Sequence, residues 1–521
     1  MNVRISSTTA SLLPSWLDVR TALYTLAPLL LVLHLARVRL ARYEHIKSLQ
    51  SDFGDRYALT DEEAAKGGKR RMNESGYRGI RDAQEIFRNT GHFDMPFISL
   101  KALEFALFRT YGIPTISKIL LRTGQFVDID KSSKRYVDTS VLIASFFTYP
   151  LPVFDLEDNE DHSKARKREK GFYNDDRNDP RSAIAIARIN WLHARANKMH
   201  EPHGAGISND DLLYTLSTFM IVPVRWYRLY AWRPATPLES EAIFTVFYHA
   251  GRCMGIKDIP KTRTEMEAWS EAYEAKHMVY AEQNEKVAKE TVDLLLFHAP
   301  HFMRPALSHV VTSLMDERLR LSMGFVKPPH WLYGMSYGLL RIMALVNRYM
   351  LMPRNTPKSV VPHNGQGLMD GVDAADPQDM FSVCPASGIR AGEENGKMCP
   401  VGGAQKQKAM MQKRPKPRLT PNWWENDVHY SRAAPKYSFV WFYERLFVPE
   451  ELRRGAKKWR PMHLAKDLPS GPVDGLDCGY RLEECGPRGL EMQGRKEIYD
   501  EAKRLNGGRD LDGMWGFDRE V

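Results

Sequence analysis

Arg188, Asn190 and His193 are the residues of this chain best placed for ligand or redox chemistry. They fall within Arg181-Ser-Ala-Ile-Ala-Ile-Ala-Arg-Ile-Asn-Trp-Leu-His193, which is followed by a polar break and by Ser208-Asn-Asp-Asp-Leu-Leu-Tyr-Thr-Leu-Ser-Thr-Phe219. With Ala183 to Asn197 wound as a helix at about 100° per residue, His193 shares a small and apolar face with Ile186, Ile189, Asn190, Ala196 and Asn197. A histidine so placed is either a core residue bonded to a neighbour or a metal ligand. Arg188 lies about 140° around the helix from it, on the side of Trp191 and Arg195, where guanidinium groups can lie along the indole. Downstream, Arg225-Trp226-Tyr227 and Tyr230-Ala-Trp232-Arg233 interleave cations with aromatics. That pattern suits a porphyrin, a lipid headgroup or simply a packed surface.

Other chemistries lack their residues. No GxGxxG follows a strand pattern, and neither GxxxxGK[ST] nor HExxH occurs, so nucleotide and zinc-protease readings have no motif to rest on. The pairs His200-x-x-His203 and His298-x-x-His301 flank Pro202 and Pro300, which break the helix that would put both rings on one face. Five cysteines, at 253, 384, 399, 478 and 485, include no CxxC pair, which excludes a cysteine zinc site and fits a reducing compartment.

The chain has 521 residues, of which 43% are hydrophobic and 26% charged, enough to bury a large core and a cofactor. Its mean hydropathy of -0.44 excludes a polytopic membrane protein. Lys and Arg exceed Asp and Glu by 74 to 64, a net +10 spread thinly along the chain. Such a thin excess argues against nucleic acid as a partner and suits the anionic face of a membrane.

The elements that must position these groups read as helices. Ala22 to Ala36 is apolar apart from Thr25 and His34 and is followed by Arg37, Arg39 and Arg42. It is a short spanning anchor, a signal-peptide core or a buried helix, and the arginines after it favour an anchor whose C-terminal side is cytosolic. Asp61 to Ser75 reads as a tether. Helical periods cover Leu100–Thr110, Ile113–Leu121 and Asp138–Phe147, and the charged stretch from Asp155 to Pro180 reads as a solvated loop. A capping box at Thr236-Pro-Leu-Glu239 opens a helix towards Gly251 or Gly255. A second at Thr264-Glu-Met-Glu267 opens a long helix expected to end before Pro300. Further helices are expected for Pro305–Phe325 and Trp331–Met352, the latter buried or resting on a membrane because it contains Arg341, Asn347 and Arg348. The stretch after Pro353 is linker-like and includes Cys384-Pro385 and Cys399-Pro400, two cysteines read as unrelated residues rather than haem sensors. Order is expected to resume at Trp423 and Trp424, with Tyr437–Val448 docking on the body. The expected organisation is a short segment (1–20), a single membrane anchor (21–41), a tether (42–75), a helical domain (76–353), a linker (354–421) and a docking C-terminal segment (422–521).

Several separated motifs occur in one order: Gly91-His-Phe-Asp-Met-Pro-Phe97, Arg135-Tyr-x-Asp-Thr139, Ala185-Ile-Ala-Arg-Ile-Asn-x-Leu-His193, Ile207-Ser-Asn-Asp-Asp-Leu-Leu-Tyr-Thr-Leu216, Trp232-Arg233 with Glu239, Gly251-x-x-Met-Gly-Ile256 and Tyr480-Arg-Leu-x-x-x-Gly-Pro487. On these the chain resembles the ER-bound oxygenase family of the mycophenolic-acid pathway (MpaB type), which belongs with the bacterial rubber oxygenases, the latex-clearing proteins. The resemblance implies a mainly α fold with a globin-like core, an N-terminal anchor and a C-terminal extension. It also implies a haem b that uses O₂ to cleave a carbon–carbon double bond in an isoprenoid chain. This chain departs from the pattern at Tyr214-Thr-Leu216, near where the rubber oxygenases place their haem-ligating histidine.

The expectation that follows is an oxygenase held at the endoplasmic reticulum membrane by a single pass through residues 21–41, with its main domain cytosolic. It acts on a prenyl or terpenoid-like side chain. His193 is the axial and metal ligand, Asn190 an orienting or distal hydrogen-bonder, and Arg188 matches the family's position. Arg225, Trp226 and Arg233 are expected to help hold the cofactor, and His92 and His249 are fallback ligands. Non-haem iron would instead need a set such as His92, Asp94 and His193. The competing reading is a catalytically silent member that binds lipid or a protein partner of unknown kind at the membrane surface.

Overall fold

The structure, a computed structural model, describes residues 19–124, 129–152, 179–200, 206–296, 299, 301–361, 436–448, 450, 453, 480–487, 490–491, 493–511 and 515–517. The heart of the charged insert, both Cys-Pro pairs, His203, His298, Trp423, Trp424 and most of the 354–421 stretch lie outside them. The described chain is helical, without a β-strand among the described residues. It begins with α1 (Val19–Arg42), α2 (Glu44–Phe53), α3 (Asp61–Ala65) and α4 (Gly76–Arg88), and a π-turn over Asn89–Asp94 leads into α5 (Pro96–Thr110). The body continues with α6 (Pro114–Arg122), α7 (Ile129–Thr148), α8 (Arg181–His200), α9 (Asn209–Tyr230) and α10 (Pro237–Cys253). Then come α11 (Arg263–His277), α12 (Glu282–Leu295), α13 (Arg304–Ser313), α14 (Glu317–Ser322) and α15 (His330–Tyr349), with α16 (Phe439–Phe447) and α17 (Arg495–Leu505) towards the C-terminus.

Small residues decide where the helices come closest. Ala183, Ile184, Ala185, Ile186 and Ala187 are all buried, so the first turns of α8 are enclosed on every side. Against them pack α7 and α17, while α5 lies along α9 and α4 along α10. The carbonyls at the end of α7, which have no partner within the helix, are met from outside it. Gln84 Nε2 donates to Phe146 O (2.7 Å) and Tyr149 O (2.8 Å), and the Ser182 hydroxyl donates to Ser145 O (2.8 Å).

Caps set the boundaries. At α10 the Thr236 hydroxyl accepts from Glu239 N (3.2 Å) and the Glu239 carboxylate accepts from Thr236 N (2.8 Å), the reciprocal pair expected from the sequence. At α11 the box is formed by Thr262 and Glu265, two residues earlier than expected, and the helix stops at His277 before α12 begins. The segment expected as one helix from Pro305 is likewise divided, because the Asp316 carboxylate accepts from Leu319 N (3.0 Å) and starts α14 afresh. Pro223 does not close α9. It is buried inside a helix that runs on to Tyr230, and the packing of α5 and α10 on either side holds the turn that the missing N–H would otherwise weaken.

The N-terminal stretch differs most from its expectation. His45, Leu49 and Phe53 of α2, then Tyr57 and Met72, are buried in the body, so residues 44–75 are fastened down although their apolar positions are too sparse to show a period. In α1, Val38 and Arg42 are buried at the base, whereas Leu26 to His34 are exposed. No helix among the described residues is long and apolar enough to cross a membrane. The apolar run of α1 ends at Ala36 and its last turns carry Arg37, Arg39 and Arg42, which removes the continuous length a span requires.

A buried charge cluster ties these parts together. Arg233 Nη1 and Nη2 donate to Glu239 (2.7 Å each), and Nη2 also donates to Asp94 (2.9 Å), whose other oxygen is 3.2 Å from His45 Nδ1. Burial pushes the Asp94 pKa up, and Arg233 and Arg42 oppose it. Arg233→Met leaves two buried carboxylates without their main counter-charge, an expected loss of about 3–5 kcal/mol. Urea unfolding measures it, and a loss under about 1 kcal/mol would show that the cluster is not a structural centre.

Candidate active site

Seven helices of the body (α5 to α10 and α12) and the segment before α17 line a cavity of about 470 Å³. That volume lies within the roughly 300–1,000 Å³ of cofactor and small-molecule pockets. The walls are mostly aliphatic. Ile189, Leu192, His193 and Ala196 supply the α8 wall at the i, i+3, i+4, i+7 spacing of one helical face. Leu212, Thr215, Leu216 and Phe219 face them from α9, and Arg135, Thr139, Leu142 and Phe146 from α7.

His193 is the histidine, of those singled out, that lines this cavity. Burial, and then the positive charge of Arg135, pull its pKa down from 6.5 to about 4. The imidazole is therefore neutral at physiological pH, with a ring nitrogen lone pair able to bind a metal. Arg135 is enclosed too, and burial lowers its pKa. Its neighbour Asp138 is already committed, accepting from Lys134 Nζ (2.6 Å) and from Gly486 N (2.8 Å). Arg195 reaches the cavity rim while its guanidinium also lies 5.6 Å from the Trp191 ring centroid.

Arg188 and Asn190 lie elsewhere. Arg188 is fully buried with its guanidinium 4.8 Å from the Trp191 centroid, and it donates to three backbone carbonyls: Cys485 O from Nε (2.6 Å), Leu490 O from Nη2 (2.8 Å) and Gln493 O from Nη1 (3.1 Å). It fastens Cys485, Leu490 and Gln493, and these with Gly486 and Pro487 form a strap that closes one side of the cavity through Gly486, Pro487 and Leu490. Asn190, expected to face inward beside His193, instead donates to Cys253 O (3.2 Å) and to Glu501 of α17 (3.1 Å). It is offset from His193 by about 60° around the helix, enough to cross from the cavity flank to the α17 flank.

The expected cradle residues are remote. Arg225 is exposed, Trp226 packs 5.0 Å from Phe105, and Arg233 belongs to the cluster described above. The part of α9 that lines the cavity ends at Phe219, and Arg225 lies about 9 Å further along the helix. Tyr214 faces a second hydrophobic cluster and donates to Glu274 (3.0 Å), leaving Thr215 and Leu216 as the cavity residues at that level. His249 is 2.6 Å from Pro152 O, and His92 borders a separate small cavity. The set His92, Asp94 and His193 does not come together, since Asp94 is bound by Arg233 and His45. No group of three His, Cys, Asp or Glu able to hold a metal occurs among the described residues. Gly334-Met-Ser336-Tyr-Gly338 has the spacing of a nucleophile elbow, but it lies inside α15 with Ser336 Oγ bonded to Ser313 (2.8 Å), away from the strand-to-helix turn that exposes such a serine.

Residues 173–348 match the family described as ER-bound oxygenase mpaB/B'/Rubber oxygenase, catalytic domain. The ER-bound oxygenase mpaB of Penicillium roqueforti (strain FM164) is 32% identical over 327 residues, covering 60% of this chain and 92% of that protein. This chain belongs to that family. The ER-bound oxygenase mpaB' of Penicillium brevicompactum is 33% identical over 282 residues, 52% of this chain, and the mpaB of the same fungus 32% identical over 256 residues, 47% of this chain. The matched stretches span 59% and 57% of those two proteins. The matched family span begins before α8 and ends in α15, so α5, α6, α7 and the strap add cavity walls from outside it. Arg135, Thr139 and Gly486 lie in the motifs Arg135-Tyr-x-Asp-Thr139 and Tyr480-Arg-Leu-x-x-x-Gly-Pro487 quoted above, whereas Leu490 lies in none of them.

Two predictions follow from this geometry. Arg188→Ala leaves three carbonyls without their donor and costs about 3 kcal/mol or more, read by thermal unfolding together with faster proteolysis after residue 480. Protection equal to wild type would show that Arg188 does not hold the strap. For His193 the unfolded imidazole titrates near 6.5 and the folded one near about 4. The unfolded chain therefore takes up the proton first as pH falls, and stability present above 6.5 is lost between 6.5 and about 4, by about 3 kcal/mol at most. His193→Gln should remove that slope in denaturant titrations at stepped pH; an unchanged slope places the titration elsewhere.

Proposed function

We propose that this protein is a haem-dependent oxygenase acting on a lipophilic small molecule, with a prenyl or terpenoid-like side chain held in the cavity. The observation that carries the reading is a neutral imidazole, His193, in the wall of a large aliphatic cavity. The donor set fits a haem. His193 would hold the iron, and Arg135 and Arg195, which bring positive charge to the same cavity, would pair with the carboxylates of the porphyrin. When bound, haem iron supplies O₂ activation, from which cleavage of an alkene is the reaction class the family resemblance implies.

The chain's own residues do the rest. Leu142, Phe146, Leu216 and Phe219 offer an apolar chain a dry surface and restrict its direction, which is how a pocket aligns one bond out of many. The hydroxyls of Thr139 and Thr215 each donate to the carbonyl four residues earlier (Arg135 O, 2.7 Å, and Asp211 O, 2.8 Å), so on facing walls they offer oxygen lone pairs that can accept from a water. Low polarity keeps water from competing for the reactive oxygen. A globin-like enclosure by helices is the arrangement we assign to this site.

We also infer residence at the endoplasmic reticulum membrane with the main domain cytosolic. The relatives are named ER-bound oxygenases, and the exposed apolar part of α1 precedes Arg37 and Arg39. A second reading, a silent lipid-binding member, is favoured by Thr215 and Leu216 standing near where the family's ligating histidine is expected. The visible spectrum decides. Protein expressed with iron and a haem precursor should show a Soret band that His193→Ala abolishes while circular dichroism stays unchanged. A folded, colourless, iron-free protein would sink the oxygenase reading and leave the silent one.

A further inference from the structure

We infer that α1 and α15 together form the membrane-contacting surface of the protein, with α15 lying in the plane of the headgroups and the apolar end of α1 dipping among the lipid tails beside it. This inference rests on the membrane residence proposed above and assigns its contact surface. The exposed part of α1, Leu26 to His34, is nine residues that rise about 13 Å, and Leu29, Leu30, Leu31, Val32 and Leu33 point around the whole circumference. A helix apolar and exposed all round has no stable place in water. It meets α15 at a defined point, where His34 Nε2 is 2.7 Å from Met350 O and Arg42 Nη2 donates to Leu351 O. From there α15 continues the surface, with Trp331, Met335, Leu339, Ile342, Leu345 and Tyr349 exposed at spacings of three and four residues. That is one stripe along the helix, Trp331 and Leu339 being 67% and 59% exposed.

The margins identify the occupant as lipid. Trp331 and Tyr349 stand at the two ends of the α15 stripe, the position aromatic rings take at a headgroup boundary. Exposed Lys327 and His330 adjoin Trp331, and exposed Arg37 and Arg39 follow the apolar part of α1. No carboxylate lies between Lys327 and Tyr349, so the rim complements anionic headgroups. A long apolar stripe with a basic edge on a helix too polar to cross is the pattern of an in-plane helix.

The test is co-sedimentation of the full chain with phosphatidylcholine vesicles, with and without phosphatidylserine. Binding should be stronger with phosphatidylserine. Leu339→Glu with Ile342→Glu, both at exposed positions, should lower the bound fraction by about tenfold or more with α1 intact, and Leu30→Asp with Leu33→Asp should do so with α15 intact. Unaltered binding by the α15 variant, with loss in the α1 variant, would overturn the two-helix surface and leave a tether by α1 alone. Failure of the wild-type chain to bind either vesicle would overturn membrane residence itself. If the α15 variant instead converts a dimer to a monomer in sedimentation velocity while vesicle binding persists, the face is a subunit contact and the inference fails.

Discussion

A cavity of about 470 Å³ inside a helical protein is space without packing partners, and the rest of this structure depends on keeping it open. Side chains around a void lose dispersion contacts, and a body free to collapse recovers them. Rigid helices with polar fastenings prevent that collapse here. Arg109 of α5 forks onto Glu274 of α11 (2.7 and 2.6 Å), and further from the cavity Arg233 joins Asp94 to Glu239. Burial lowers the Arg109 pKa, but Glu274 and Asp316 more than offset it, so the guanidinium stays charged and the fork stays closed. Each cluster is distant in sequence and near in space, which is what fixes the angle between helices rather than the length of one.

The strap completes this logic. Lys134 Nζ donates to Gly486 O (2.5 Å) while Gly486 N donates to Asp138 (2.8 Å), so α7 grips both backbone groups of one residue, and α8 grips its neighbours through Arg188. Gly486 has φ +135°, and a Cβ there would stand 3.2 Å from Leu192 and 3.3 Å from Arg188. A residue with a side chain would be strained and would also press on the cavity wall. Arg188, the family-matched arginine of α8, thus acts through the backbone it holds.

What was legible in the sequence was local. The helix class, the Thr236 cap, the guanidinium groups on Trp191 and the inward face of His193 follow from residue spacing within one element. Asn190 was misplaced because a helical wheel gives angles but not neighbours, and its flank meets α17, more than 300 positions later. Arg225, Trp226 and Arg233 suggested a cradle by type alone. Their distance from the cavity is set by how far along α9 the chain has travelled and by a carboxylate pair from α10 and the π-turn. The spanning reading of α1 finds no support among the described residues, where no helix is both long and apolar enough to cross: α1 has 24 residues, but its last turns carry Arg37, Arg39 and Arg42.

The late position of the strap sets an order of events during synthesis. Every helix that walls the cavity has been made by residue 295, whereas Gly486 and Leu490 follow about 190 residues later. At about 5–20 residues per second that interval lasts roughly 10–40 s. Until then Arg188 has not met its three carbonyl partners, and the cavity lacks the residues the strap contributes. Arrival of Arg188's three carbonyl partners then adds the last wall, so the full lining of the cavity is a property of the finished chain and of no shorter one.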